Sequence, residues 1–151
     1  MTDPTASPAK SLGSRVGDSQ EGIRAAYREL LGTVPESIET RLALAERTGR
    51  GSASEAIEAL RNELIMANPL GRKTGQLVHF AQLVAIGKAA PARLHARAAR
   101  RAGASLEELV GVAELALITA GMPAYSLAVE IVAELTDEES DREGHDSASG
   151  G

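Results

Sequence analysis

The sequence predicts an all-α fold of about six to seven helices, and three observations carry that expectation. One Phe, two Tyr and no Trp leave the core to Leu, Ile, Val and Ala, whose small side chains let helices approach closely. Helix start and stop signals recur along the chain, as Ser, Thr or Asp followed three residues later by Glu, and as Gly or Pro after each apolar run. The apolar residues follow helical spacing, not strict alternation. At 151 residues with 43% hydrophobic content, the chain is of ordinary single-domain size and long enough to bury a real core.

Residues 1–17 are rich in Ser, Pro, Thr and Gly, and residues 137–151 are charged and then Ser/Gly-rich. Neither stretch has enough apolar surface to offset the entropy of ordering it, so both are expected to be disordered tails around a folded domain spanning 18–136.

Within that domain, Asp18 and Glu21 form a capping-box pattern ahead of Ile23, Tyr27, Leu30 and Leu31, and Gly32 stops the helix. Thr33 and Glu36 repeat the pattern before Ile38, Leu42 and Ala45, and Gly49-Arg50-Gly51 ends the second segment. Ser52 with Glu55 starts a third, carrying Ile57, Leu60, Leu64 and Ile65, which Asn68-Pro69 closes. Thr74 to Ile86 is apolar on most sides and reads as a central, buried helix. A buried strand is the competing reading for so short a run, but Gln76, Ala81, Gln82 and Ala85 are poor strand residues. Pro91 opens a short helix that Gly103 ends, the usual placement of Pro in a first turn and Gly past a last one. Ser105 and Glu108 make the next capping box before LEELVGVAELALITA; Gly121-Met122-Pro123 breaks that run, and Ala124 to Leu135 forms the last helix.

The formal charge of −5 is concentrated at the C-terminal end, where six acids from Asp137 to Asp146 face only Arg142 and the rest of the chain is neutral. No strong basic field suits nucleic acid. Arg93, Arg97, Arg100 and Arg101 lack aromatic stacking partners and read as a solvated or ion-pairing face. With no cysteine, disulfides, zinc thiolate sites, iron–sulfur clusters and peroxidatic thiols are excluded. The N-terminus has no apolar run of signal-peptide type and no segment is long enough to span a bilayer, so a cytoplasmic protein without membrane contact is expected. No HExxH or other metal-ligand spacing occurs, and no metal site is expected.

Projected at ~100° per residue, His95 falls opposite the arginines with Ala98, Ala99 and Ala102. An imidazole flanked by methyl groups can have its pKa tuned for proton transfer. The alternative is a structural histidine bonded to a core carbonyl. Gln76, His79 and Gln82 form a polar edge on an apolar helix, which either lines a cavity or crosses a subunit interface. Glu130 reads as a carboxylate base or as part of a solvated helix face.

The segments NPLGRKTGQLVHFAQLVAIG and LHARAARRAGASLEELVGVAELALITAGMPA resemble the carboxymuconolactone decarboxylase family, which shares the AhpD-like helical fold. The similar elements are Arg72-Lys73-Thr74 before a buried helix, His95 eight residues ahead of Gly103, the Ser105/Glu108 start, and Gly121-Met122-Pro123-Ala124. The resemblance covers roughly residues 69–135. Where peroxidase-like members carry a CxxC pair and an upstream acid, this chain has Lys88, Pro91 and Gln76. Thiol peroxidase chemistry is therefore excluded. What the resemblance then implies is a lyase, isomerase or cyclase without cofactor, acting on a small lactone or carbonyl acid. His95 is its acid/base, with Glu130 and His79 as further catalytic candidates. Arg72, Gln76, Lys88, Arg93 and Tyr125 are the implied substrate-binding residues. The resemblance also implies a homo-oligomer, a trimer or a hexamer. A non-catalytic oligomeric binding or scaffold protein on the same fold is the competing function.

Overall fold

Seven helices and no strand are present among residues 19–148, the part of the chain that the computed structural model describes; side chains are described through residue 141. In chain order they are α1 (Gln20–Leu31), α2 (Glu36–Arg47), α3 (Gly51–Met66), α4 (Gly71–Ala85), α5 (Ala89–Arg101), α6 (Leu106–Ala120) and α7 (Met122–Ala148). The Thr74–Ile86 run is thus helical up to Ala85, with Ile86 as the C-cap. The expected N-terminal tail and Asp18 lie outside the described residues. None of the described helices is long and apolar enough to cross a membrane.

The helix starts match the sequence signals only in part. Ser105 and Glu108 form a complete capping box, each satisfying a free amide of the other's turn. At α1 the capping side chain is Ser19, whose Oγ accepts from the Gly22 amide. The two other expected boxes do not form. Pro35 occupies the cap of α2 in extended conformation, so Thr33 lies before the turn it was expected to cap. Helix α3 starts at Gly51, which places Ser52 inside the helix instead of at its cap. Gly32 ends α1 at φ 80°, a left-handed conformation that favours glycine.

Helices α4 to α7 surround one core, in which Phe80, Val84, Leu109 and Ile131 are the largest fully buried side chains. Ala92, Ala96 and Ala99 are completely buried on the side of α5 turned to that core, and their lack of bulk lets α4 and α5 form the most extensive helix pairing in the molecule. A second cluster, built on Ile23, Tyr27, Leu30, Leu31, Ile38 and Leu42, meets α5 at Ala98. Helix α5 is therefore shared between the two cores.

Helix α7 runs past residue 136, to Ala148. Arg93 pairs with Glu134, Arg97 with Glu138 and Arg100 with Glu139, so the arginine row of α5 faces a carboxylate row on α7. Pairings that rise together along both helices mean that the two run parallel. Composition misses this, because the partners lie about 40 residues away and the helix is supported by charge, not apolar burial.

The third helix turns the other way from its apolar pattern. Ile57, Leu60 and Leu64 are 62%, 60% and 59% exposed, whereas Glu58 is only 7% exposed. The buried carboxylate is held by the Tyr27 hydroxyl at 3.0 Å and by the Arg41 guanidinium, which offsets the desolvation that would otherwise expel it.

Candidate functional site

Helices α4 and α5 bring Gln76, His79 and His95 together. His95 sits one turn from Ala92 and Ala99 on the inward side of α5, with the arginines turned towards α7. Gln76 and His79 are one turn apart on the facing side of α4. Gln76 is 2% exposed, and a primary amide buried that deeply must find a partner. Its Oε1 lies 2.7 Å from His95 Nδ1. An amide oxygen can only accept, so Nδ1 of His95 carries the proton and Nε2 keeps the lone pair. The His79 ring stands edge-on to that of His95, with centroids 4.6 Å apart, an interplanar angle of 88° and 3.4 Å between the two Nδ1 atoms.

Burial, the adjacent His79 and the Arg61 guanidinium push the His95 imidazole down to about 4. Burial and Arg61 also lower His79. Both rings are accordingly neutral at pH 7, and His95 is a base with a fixed tautomer.

A cavity of about 220 Å³ opens beside this cluster, lined by Leu64, Ile65 and Asn68 from the end of α3 and by Arg72, Gln76 and His79 from α4. Across Gln76, a second hollow of about 320 Å³ is bordered by Glu29, Arg72 and Arg101. His95 itself lines neither hollow and meets them through Gln76 and His79. A larger hollow, about 620 Å³, lies elsewhere, along the α5–α7 ion pairs. Its charged lining already pairs internally, through Arg97 with Glu138 and Arg100 with Glu139, so the smaller cavity at the histidines is the better candidate.

The remaining sequence candidates are dispersed. Arg72 borders the cavity and pairs with Glu29 at 3.1 Å. Arg93 and Glu130 pair with each other at 3.1 Å on the α5–α7 seam, where Glu130 is largely exposed. Lys88 is exposed at the start of α5. Tyr125 is half-buried against the α4–α7 core and bonds to neither histidine. Among the described residues no group of three or more His, Asp or Glu side chains is placed to hold a metal ion.

Arg61 escaped the sequence reading. It lies on α3 one turn before Leu64 and Ile65, with its guanidinium 4.4 Å from the centroid of the Tyr27 ring. Its only signal is register: Glu58, Arg61 and Ile65 share a helix face, which looks solvent-facing until Glu58 is seen to be buried.

The carboxymuconolactone decarboxylase family model matches residues 52–134, a span that contains α4, α5, α6 and most of α3. Neither a curated protein nor a solved structure matches the chain.

Proposed function

The chain belongs to the carboxymuconolactone decarboxylase family, and from that premise we propose that it is a cofactor-free lyase, isomerase or cyclase for a small lactone or carbonyl acid. The observation that carries this reading is the 2.7 Å contact between buried Gln76 and His95, which holds a neutral imidazole with Nε2 free to take a proton. In an isomerisation or cyclisation, Nε2 removes a proton from the carbon next to a carbonyl, the C–H electron pair becomes an enolate, and the imidazolium returns the proton at another position. In a decarboxylation, His95 Nε2 first takes up a proton from solvent as the anionic substrate binds; the C–C electron pair then moves into the same type of enolate as CO2 leaves, and the imidazolium protonates the carbon. In either case a substrate anion beside His95 raises its proton affinity above that of the empty site.

His79 adjoins both His95 and the cavity and serves as the second imidazole of the reaction, with Arg72 at the cavity edge. Glu130 and Arg93 are assigned to the α5–α7 seam instead, and Lys88 and Tyr125 receive no chemical role. The test is a panel of γ-lactone acids and keto acids, assayed with the wild-type chain and with His95→Gln. Loss of general acid–base catalysis lowers turnover by about 100-fold or more. Full turnover in the variant rejects the assignment.

The second reading, a non-catalytic binding protein, is favoured by the enclosure of His95 behind Gln76 and His79. Both readings include a homo-oligomer, a trimer or a hexamer, because exposed Ile57, Leu60 and Leu64 on α3 and Leu115 and Ile118 on α6 leave apolar stripes for neighbouring copies. A monomer by light scattering contradicts the oligomer.

A further inference from the structure

We propose that Arg61 binds the carboxylate of the substrate, so that the site selects small carboxylic acids and sets their reactive carbonyl beside His79 and His95. The inference rests on the acid/base reading above only for the reaction that follows binding.

Among the described residues Arg61 is a cation without an ion pair, whereas Arg41 is matched by Glu58 and Arg72 by Glu29. Its guanidinium is instead stacked against Tyr27, whose hydroxyl is fixed by Glu58. That support holds the planar fork in place without consuming its hydrogen-bond donors. Helix register places Arg61 on the same face as Leu64, Ile65 and Asn68, all three of which line the 220 Å³ cavity with Gln76 and His79. A positive charge close to a neutral histidine pair is complementary to an anion, and Arg matches a carboxylate with two parallel hydrogen bonds. The Coulombic influence of Arg61 on both imidazoles agrees with this proximity. The substrate class that fits a cavity of about 220 Å³ is a small carbonyl-bearing acid.

The probe is 2-furoate, a five-membered-ring acid, with 2-furamide as its uncharged counterpart, titrated into the full chain while the His79 and His95 ring signals are followed by NMR. Furoate is expected to bind and move both signals, and furamide to leave them in place. Arg61→Gln is expected to weaken furoate at least tenfold, Arg61→Lys to weaken it less, and substitution of exposed Arg47 by Gln to leave it within about twofold. Far-UV circular dichroism establishes that each variant is folded, and Arg61→Lys supplies the comparison if Arg61→Gln is not. Equal binding of furoate and furamide, unchanged binding in both Arg61 variants, equal loss in Arg47→Gln, or no furoate binding at millimolar concentration each overturns the proposal. Furoate binding lost in Arg61→Gln but kept in His95→Gln, together with full turnover in His95→Gln, would retain this carboxylate site and reject the acid/base reading alone.

Discussion

Replacing Gln76 by Glu changes one atom of the contact that fixes His95 and should reset its protonation. In the wild-type chain the Gln76 amide oxygen accepts from Nδ1 at 2.7 Å, and nothing negative opposes the burial that holds the ring neutral. A carboxylate in the same place lies about 4 Å from the centre of an imidazolium, and at an effective dielectric constant of about 20 that attraction is worth about 4 kcal/mol. Burying the new carboxylate at a position only 2% exposed takes back about 1–3 kcal/mol, leaving about 1–3 kcal/mol, which raises the proton affinity of His95 about five- to a hundredfold. Long-range ¹H–¹⁵N correlation of the imidazole rings measures this directly, because it reports both the titration and the tautomer. The wild-type ring should show the proton on Nδ1 and titrate in the acid range, near 4. The variant should titrate at distinctly higher pH, and the acid limb of any activity profile should move with it. A wild-type ring protonated on Nε2, or a titration unmoved by the substitution, would refute the Gln76–His95 geometry.

Other consequences follow from the same packing and charges. His95 is depressed in the folded chain, so between pH 6.5 and about 4 the unfolded chain binds the extra proton, and stability falls as pH drops through that window. For a half-buried ring screened by water the loss is about 1–2 kcal/mol, read as a difference in urea midpoints at pH 7 and pH 4.5 that His95→Gln should remove. Enlarging fully buried Ala96 to Leu should cost about 1–3 kcal/mol by forcing α4 and α5 apart, and an unchanged unfolding midpoint would contradict their close approach. A double-mutant cycle between Arg97 and Glu138 should give a coupling of about 0.2–1 kcal/mol that shrinks in high salt, since both side chains are about one-third exposed; a coupling insensitive to salt would indicate a desolvated pair.

How far the sequence reveals this molecule depends on whether the decisive contacts are local. The Ser105/Glu108 cap, the Gly32 stop and the inward side of His95 are properties of one turn or one helix, and each is found where the residues place it. Gln76 was legible as a polar residue on an apolar helix, although periodicity alone could not choose between a cavity and an interface. Its partner is set by the pairing of α4 with α5. The orientation of α3 was not legible. Apolar Ile57 and Leu60 are exposed because a tertiary network of Tyr27, Arg41 and Glu58 makes the polar face the inner one, and Arg61 stacks on Tyr27 there. The acidic stretch from Asp137 likewise looks too polar to fold until Arg97 and Arg100 are placed beside Glu138 and Glu139.

Deuterium incorporation tests the central claim most directly. The chain is incubated in D2O at pH 7 with a panel of small lactone and keto acids, and the C–H signals next to each carbonyl are followed by NMR alongside any product formed. If His95 is the proton-transfer residue, the wild-type chain exchanges or releases a deuterated carbon position in at least one acid, and His95→Gln slows this by about 100-fold or more. Exchange at the same rate in His95→Gln, or none with any acid of the panel, contradicts it.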